Sequence, residues 1–341
     1  MEEPFVSIII PVRNEIQYIS RCLQAVANQD YPVDRVEVLV ADGASDDGTT
    51  EFLHGWASQG SDRSVFLNPG RIVPTGLNIL IPRAKGEVII RVDGHCVIAP
   101  DYVSDCVCHL QGGEADGVGG PMCSIGEDII SQVTALAMSS KFGVGNSSFR
   151  TESGVTKYTD TVPFPAYTRK IIEKVGLYDE ELVRNQDDEY NYRIREAGGR
   201  ILLAEDVKSE YFSRGSLRKL WKQYFQYGYW KVRVLQKHPR QMSPRQFVPL
   251  GFVLGLILTS LLSLFTPWGW KTLIALAVVY LAANFTASMI TAWGKGCKKM
   301  ALLPLAFGII HLSYGLGFLA GLFKFRNRWR DKKGLVPDWQ P

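Results

Sequence analysis

Three apolar segments near the C-terminus restrict the possible folds of this chain more than any other feature. They cover residues 247–265, 273–293 and 301–323, and no acidic residue interrupts them. A helix needs about 20 apolar residues to cross a bilayer, and each segment approaches that length. Tryptophans stand near the segment ends, as aromatic residues do at membrane interfaces. The sequence therefore predicts a membrane domain of about three hydrophobic helices over residues 246–325.

The positive charges around these segments give conflicting indications of topology. Lys and Arg favour the cytosolic side of a membrane. If two helices cross, the basic residues before the first segment and around Lys295 are cytosolic, but a third crossing puts the basic tail, residues 326–341, outside. Either the tail is an exception, or one segment is re-entrant. The third segment, which contains Pro304 and several glycines, is the candidate for re-entrance.

Residues 213–245 are predicted to form an amphipathic helix at the membrane interface. Six aromatic residues lie between positions 221 and 230, and the wider segment over residues 216–238 also carries several Lys and Arg residues. This mixture is typical of interfacial helices. A nucleic-acid stacking surface has a similar composition, but the apolar segments that follow favour the bilayer. The net charge of +4 also gives little support to a nucleic-acid partner.

Residues 1–212 predict a cytosolic α/β domain with a mostly parallel sheet, because short apolar runs alternate with helical patterns. The N-terminus has no apolar leader, and the six cysteines lack CxxC spacing, which suits a reduced cytosolic protein. Asn14 is expected to cap the first helix, and Pro163 and Pro165 to place one strand near a sheet edge. Strands are expected at residues 5–11, 36–41, 64–68, 87–93, 116–121, 160–167 and 200–204, and helices at 74–81, 101–110, 128–142 and 185–198.

The strand over residues 87–93 ends at an acid. In open α/β sheets, ligands bind beyond the carboxyl ends of the strands, so Asp93 and His95 are expected to face a ligand crevice. A carboxylate and an imidazole can share a divalent cation whose other ligands are phosphate oxygens. The alternative is that Asp93 caps a turn and His95 packs against it.

A second acidic cluster opens the helix at residues 185–198. Asp187, Asp188 and Glu189 follow one another in its first turn. Acids at this position favour the helix dipole, so simple capping is one interpretation. Three consecutive acids exceed what a cap needs, which indicates a chemical role.

Four motifs in order resemble family 2 inverting glycosyltransferases of the GT-A fold. They lie at residues 7–15, 42–49, 93–95 and 186–193, and the resemblance spans about residues 5–240. The run at residues 211–230 is most similar to the succinoglycan-type exopolysaccharide subgroup. The resemblance implies a Rossmann-like GT-A domain and a divalent cation, Mn²⁺ or Mg²⁺.

The resemblance also implies roles for single residues. Pro11, Glu15 and Asp42 are expected to line the nucleotide pocket, and Asp93 matches the first acid of the family's DxD motif. His95 replaces the second acid, which reduces the carboxylates available to the metal and leaves its identity open.

Asp187 matches the acid of the family's Glu-Asp motif, the general base, although Gln186 stands where the Glu usually is. Inversion needs one base to deprotonate the acceptor hydroxyl as it attacks the anomeric carbon. Asp188 is the alternative base, since the sequence does not separate two adjacent acids.

The acceptor side is expected to involve the interface helix. Gln226 and Trp230 echo the QxxRW motif of processive synthases, but Tyr229 replaces the Arg, which favours transfer of a single sugar. Interfacial anchoring is the alternative for both residues. Arg214 is expected to pair with a diphosphate, or else to be a solvated surface residue.

These inferences predict a multi-pass enzyme of the inner membrane with a cytosolic catalytic domain. It is expected to move one sugar from a UDP-sugar to a polyprenyl-diphosphate-linked or glycan acceptor. The expected donor is UDP-glucose. The product is an exopolysaccharide or cell-envelope glycan. The alternatives are a nucleotidyltransferase and a membrane-anchored nucleotide sensor without catalysis.

Overall fold

The computed structural model describes residues 3–152, 154–213 and 215–339. Contacts between residues divide the chain into two units. The first comprises Met1–Cys123, Glu152–Tyr211 and Gly334–Pro341, and the second Ser124–Thr151 and Phe212–Lys333. The domain boundaries predicted at residues 212, 245 and 325 stay predictions.

The elements alternate as the sequence pattern indicates. The strands are β1 (Val6–Val12), β2 (Val36–Asp42), β3 (Arg63–Leu67), β4 (Val88–Arg91), β5 (Cys96–Ile98), β6 (Gly117–Gly119), β7 (Met122–Ile125), β8 (Lys157–Tyr158), β9 (Ala166–Thr168), β10 (Ile201–Leu203) and β11 (Ser209–Phe212). The helices of the first unit are α1 (Ile19–Ala27), α2 (Thr49–Ala57), α3 (Val73–Leu80), α4 (Tyr102–Gln111), and, after the segment belonging to the second unit, α8 (Arg169–Val175) and α9 (Gln186–Glu196). The helices of the second unit are α5 (Ile129–Met138), α6 (Lys141–Val144), α7 (Ser148–Thr151), α10 (Leu217–Lys237), α11 (Val248–Ser263), α12 (Pro267–Ala292) and α13 (Cys297–Lys324).

The first unit is built on a mixed sheet in the order β3-β2-β1-β4-β9-β6-β10-β8. The first four strands in this order are parallel to one another. Strand β9 is antiparallel to both of its neighbours, and β6 and β10 are parallel. This architecture confirms the predicted α/β class with a mostly parallel sheet.

Strand β1 lies inside the sheet and every one of its residues is buried. Helices cover both faces of such a strand, so it needs no alternation of polar and apolar residues. Its one hydroxyl is satisfied: Ser7 Oγ donates to Glu37 Oε1 at 2.6 Å and accepts from Gly86 N at 2.7 Å. The parallel register aligns Pro11 with Ala41 and Val12 with Asp42, so β1 and β2 end at the same edge.

The predicted edge strand at residues 160–167 is wrong in its position. Strand β9 is Ala166–Thr168 and lies in the sheet interior between β4 and β6. Pro163 and Pro165 precede the strand, so their missing N–H groups remove no hydrogen bond from its ladder. The helix predicted at 128–142 is also shorter, because α5 ends at Met138 and α6 begins separately with Ser140 as its N-cap.

The second unit contains three helices that are long and apolar enough to cross a membrane, over Pro244–Ser263, Pro267–Ala292 and Ala301–Lys324. Helix α12 begins earlier than predicted because Thr266 Oγ1 accepts from Gly269 N at 3.1 Å and Pro267 fits the first helical position. Helix α13 is continuous through Pro304, and the predicted re-entrance of the third segment stays a prediction.

Glycines bring α10 and α13 into close contact. A Cβ on Gly228 would lie 2.0 Å from Tyr314 O, and one on Gly317 would lie 2.0 Å from Phe225 O. Gly321 approaches Tyr229 O in the same way, at 2.5 Å. Small residues let helix backbones approach closely, so these three positions set the separation of the pair.

We expect Gly317→Ala to lower the melting temperature of the detergent-solubilised protein. The added methyl group must push the two helices apart, and overpacking of this kind costs about 1–3 kcal/mol. The matched control is Gly308→Ala on the same helix, where the nearest atom to a new Cβ is Tyr280 Oη at 4.0 Å. Equal melting temperatures for the two variants would contradict the packing.

Candidate active site

The loops that follow β1 and β2 are joined by side-chain hydrogen bonds. Asn14 Nδ2 donates to Asp46 Oδ1 at 2.8 Å, and Asp46 N donates to Asn14 Oδ1 at 3.0 Å. Glu15 N donates to Thr49 Oγ1 at 3.0 Å. The predicted helix cap at Asn14 is therefore wrong: its φ of 57° is left-handed, and α1 begins only at Ile19. An Asn tolerates that conformation and uses its amide across the loops.

Asp42 is buried at the end of β2 and shapes the loop that follows. Its Oδ1 accepts from Ser45 Oγ and its Oδ2 from Thr50 Oγ1, each at 2.6 Å. Ser45 N also donates toward both carboxylate oxygens at 3.4 Å, so the loop after β2 holds this side chain through both of its oxygens. Asp42 and the buried Pro11 lie at the same sheet edge, where nucleotide pockets of α/β folds are found.

An arginine outside the four sequence motifs joins the two predicted acidic sites. Arg91, the last residue of β4, is only 5% exposed. Its Nη2 and Nε donate to Asp93 Oδ1 at 2.9 and 3.1 Å, and its Nη1 donates to Asp187 Oδ1. One guanidinium therefore contacts both the expected metal or ribose ligand and the expected base. A signal was present, because an arginine in a buried strand must be paired.

The electrostatics of the two acids differ. Burial alone would raise the pKa of Asp93, but Arg91 and then His95 hold it below its ordinary value. Burial raises the pKa of Asp187, and Arg91 opposes this increase without cancelling it. Asp187 nevertheless keeps 35% of its side-chain surface exposed, so it is surrounded by protein yet open to a reactant. A carboxylate with a raised pKa and an accessible oxygen is suited to accept a proton.

His95 lies beside Glu15 and has an unused ring nitrogen. Its Nδ1 is 3.0 Å from Glu15 Oε1, but the two atoms are not aligned as a hydrogen bond, and this buried Nδ1 has no hydrogen-bond partner. The His95 ring also makes an edge contact with Tyr211. Within residues 3–152, 154–213 and 215–339, no group of three or more His, Cys, Asp and Glu side chains could hold a metal. The metal role of Asp93 and His95 stays a prediction.

The three acids at the start of α9 have separate environments. Glu189 is buried and pairs with Arg193, with Nε to Oε1 at 2.7 Å. That arginine also donates to the carbonyl oxygens of Val175 and Leu177, so the pair serves packing. Asp187 contacts Arg91, and Asp188 is partly exposed next to it. Asp187 therefore shares Arg91 with Asp93, and the choice of Asp187 or Asp188 as the base stays a prediction.

The remaining predicted residues lie elsewhere in the chain. Arg214 is outside the described residues. Gln226 and Trp230 lie on α10 in the second unit, where the Trp230 ring packs against Tyr229 and Phe325. The acceptor or interface role of Gln226 and Trp230 stays a prediction.

Solved structures share this fold. The structure is similar to the mannosyltransferase PcManGT from Pyrobaculum calidifontis, solved with GDP-Man and Mn²⁺, with a TM-score of 0.58, 22% identity, and coverage of 95% of this chain and 88% of that one. It is also similar to residues 1–349 of S. aureus TarS with UDP-GlcNAc, at a TM-score of 0.51, 15% identity and 98% coverage of both chains. These similarities show the GT-A fold.

The sequence comparisons define the family. A family model described as glycosyl transferase family 2 matches residues 7–176. The succinoglycan biosynthesis protein ExoA of Rhizobium meliloti is 30% identical over 94% of this chain and 96% of its own length. A dolichyl N-acetyl-alpha-D-glucosaminyl phosphate glucuronosyltransferase of Methanococcus voltae, which transfers a diacetamido-dideoxy-glucuronosyl group, is 26% identical over 94% of this chain and 98% of its own length.

The chain belongs to glycosyltransferase family 2 and is a glycosyltransferase. The resemblance to this family and to its succinoglycan-type members is confirmed. The nucleotidyltransferase and sensor alternatives are therefore set aside.

Proposed function

We propose that this protein is a membrane-attached inverting glycosyltransferase that moves one sugar from a UDP-sugar, UDP-glucose in the first instance, to a lipid-linked or polysaccharide acceptor. The observation that carries the proposal is the contact of Arg91 with both Asp93 and Asp187. It brings a donor-side acid and a proton acceptor within the span of one side chain. Single-displacement transfer needs this proximity, because the hydroxyl must lose its proton while the nucleotide leaves.

Asp187 is proposed to take the proton of the acceptor hydroxyl. Its raised pKa makes it a stronger base than an ordinary carboxylate, and Arg91 fixes the orientation of one of its oxygens. The second oxygen, Oδ2, is 3.4 Å from Gln186 Nε2, so it is held only weakly and can receive the hydroxyl.

The donor side is proposed to use Pro11, Glu15 and Asp42 around the nucleoside and Asp93 at the ribose or diphosphate. Asp93 and His95 are the residues that would hold a divalent cation, with Glu15 beside them. A cation bound there neutralises the charge that develops on the departing nucleoside diphosphate. The hydrogen bonds between the loops after β1 and β2 orient the pocket residues before the donor arrives.

The relatives support an acceptor carried by lipid or glycan, since one acts on a dolichyl phosphate-linked sugar and another in succinoglycan biosynthesis. Three helices long and apolar enough to cross a membrane also support a lipid-linked acceptor. We therefore place the enzyme in the inner membrane with its catalytic domain in the cytosol, making exopolysaccharide or cell-envelope glycan. Tyr229 in place of the arginine of processive synthases favours a single transfer.

The purified protein in detergent should transfer sugar from one member of a panel of UDP- and GDP-sugars to a polyprenyl-diphosphate-linked glycan. Removal of divalent cations by EDTA should abolish transfer, and Mn²⁺ or Mg²⁺ should restore it, because a bound cation neutralises the charge that develops on the departing diphosphate. The product is measured by mass spectrometry, and its anomeric configuration by NMR. A product with the donor's configuration would contradict inversion.

The histidine in the motif gives the matched test of the cation site. His95→Ala should raise the Mn²⁺ concentration needed for half-maximal activity by about tenfold or more, the scale of lost metal-site interactions. His109→Ala is the control, because that histidine of the same unit pairs with Asp206 at 2.9 Å instead. If the His95 variant needs the same Mn²⁺ concentration as the parent enzyme, His95 is not a ligand of the cation.

A further inference from the structure

After its last apolar helix, the chain returns to the first unit. Leu335 N donates to Asp179 Oδ1 at 2.8 Å, and Glu180 N donates to Leu335 O at 2.9 Å. Asp179 is 1% exposed, and a Cβ on Gly334 would lie 2.4 Å from its Oδ2. These are short contacts within the first unit, which contains the candidate active site and is called the catalytic unit from here on, and no hydrogen bond reaches across a bilayer. Residues 334–336 must therefore lie on the same side of the membrane as that unit.

This contact fixes the parity of the membrane crossings. The catalytic unit precedes the three candidate helices in sequence, and residues 334–336 follow them. A chain that leaves and regains the same side has crossed an even number of times. One of the three candidate helices therefore does not cross.

Helix α13 is the one that packs along a helix unsuited to the bilayer. The contacts of Gly317 with Phe225 and of Gly321 with Tyr229 keep one register, so α10 and α13 run parallel and side by side. Helix α10 carries six Lys and Arg residues in its 21 positions. Each such charge costs about 2.5–3.5 kcal/mol at the centre of a membrane helix. A helix bound along α10 shares its interfacial environment.

A buried arginine holds the end of α13 against α10. Arg233 is fully buried, and its Nη1 donates to Gln236 Oε1 at 2.7 Å. The carbonyls of Arg328 and Asp331 lie 3.4 and 3.3 Å from the same Nη1, and Gln236 Nε2 donates to Phe325 O at 2.8 Å. The chain just after α13 is thus attached to α10, well before it reaches Gly334.

Helices α11 and α12 have the opposite character. They form an antiparallel hairpin in which Phe252 stacks on Tyr280 at 4.2 Å. In the most apolar stretch of α11 and of α12, only 11% is buried against the rest of the protein, whereas in α13 the share is 44%. Large exposed apolar side chains line the hairpin toward its closed end: Leu258, Leu261, Leu262, Leu264, Phe265, Trp268, Trp270, Ile274, Val278 and Val279.

The contacts of α13 with this hairpin lie near its open end. A Cβ on Gly315 would be 2.3 Å from Pro249 O, in the first turn of α11. Asn284 Nδ2, in the second half of α12, donates to Pro304 O at 3.0 Å. Helix α13 therefore packs against the open end of the hairpin. The closed end of the hairpin remains exposed to another apolar partner.

We infer that α11 and α12 are the membrane-spanning pair, with the bilayer covering their exposed apolar surface, and that α13 stays with α10 at the membrane face on the side of the catalytic unit. This arrangement removes the conflict with the positive-inside rule. The basic residues before α11, around Lys295 and after α13 all fall on one side, and Lys271 alone stands near the hairpin tip.

Thiol labelling in oriented membrane vesicles tests the inference. Cys123 and Cys297 are replaced by Ser, and the exposed native Cys108 reports the side of the catalytic unit. In the same background with Cys108 also replaced, one cysteine is added by Asp338→Cys in the tail or by Lys271→Cys at the hairpin tip, both exposed positions. A membrane-impermeant maleimide is applied to right-side-out and inverted vesicles.

The thiols at positions 108 and 338 should react in the same vesicle orientation, and the thiol at position 271 in the other. Labelling of position 338 from the side opposite to position 108 overturns the inference, and so does labelling of position 271 from the same side. An epitope tag after residue 341, digested by protease in each orientation, gives the tail's side without any cysteine replacement. Neither readout requires sugar transfer, so the result is independent of the proposed function.

Discussion

Replacing Asp187 with Asn should reduce sugar transfer by about 10²–10⁴-fold, the contribution of a positioned general base. The amide keeps the shape of the side chain but has no basic oxygen for the acceptor proton. Donor affinity should change little, because Asp187 is expected to meet the acceptor and not the nucleotide. Single-turnover rates and nucleotide binding by calorimetry measure the two quantities separately.

The neighbouring acid is the control for this experiment. Asp188→Asn removes one negative charge from the same turn of α9 but leaves the Arg91 contact of Asp187 intact. It should retain most of the activity. If the Asp188 variant loses transfer while the Asp187 variant keeps it, the assignment of the base is reversed.

The pH dependence of the parent enzyme should agree with this assignment. A general base works when deprotonated, so kcat/KM should fall as the pH drops through the pKa of Asp187. Because burial raises that pKa, the acidic limb should lie above the ordinary value for an aspartate, about 3.9. The Asp187→Asn variant should lose this limb from its residual activity.

Replacing Arg91 with Met should have the second large effect, about 10²-fold or more on kcat, and it should move the acidic limb to higher pH. Without the guanidinium, Asp93 and Asp187 repel each other at short range, and the pKa of both rises. More of Asp187 is then protonated at neutral pH. Arg91→Lys keeps the charge and should restore part of the rate and most of the pH profile.

Stability should follow the same electrostatics. In the Arg91→Met variant the two carboxylates have folded-state pKa values above their unfolded ones, so ionisation at neutral pH destabilises the fold. Loss of one partner of a buried pair costs about 3–5 kcal/mol. Protonation relieves the repulsion, so the difference in melting temperature from the parent should shrink as the pH falls.

Arg193→Met is the matched control for Arg91. Arg193 is also a largely buried arginine in an ion pair, but its partner is Glu189 and its role is in packing. Its loss should lower the melting temperature without moving the acidic limb. If the Arg91 variant also leaves the limb in place, Arg91 is a structural residue and does not tune the base.

The motifs predicted where the site lies but not how its parts are connected. Asp93 and Asp187 were identified because acids follow an apolar strand and open a helix. The contact of Arg91 with Asp187 is not evident from the sequence, because the two residues lie 96 positions apart and no local pattern reports such a pair. Asn14 was assigned to the nearer helix for a related reason: its partner, Asp46, belongs to a different loop.

The membrane segments show a second limit of sequence interpretation. By hydropathy the three segments have nearly equal apolar character. Hydropathy measures how apolar a helix is, but it does not tell whether lipid or protein covers its surface. The glycines of α13 serve contacts with α10 and α11 that are long-range in sequence. Only the packing separates an apolar surface that meets protein from one that meets lipid.

Because Asp93 and Asp187 share the Arg91 guanidinium, ligand binding at Asp93 and ionisation of Asp187 are coupled. A ligand that binds the Asp93 carboxylate competes with Arg91 for it. The guanidinium then interacts more strongly with Asp187. If occupancy at residue 93 favours the ionised form of residue 187 by some factor, ionisation of residue 187 must tighten binding at residue 93 by the same factor. With the proposed roles of these two acids, this coupling would favour a fixed order of events, in which Asp187 becomes ionised once the donor is bound.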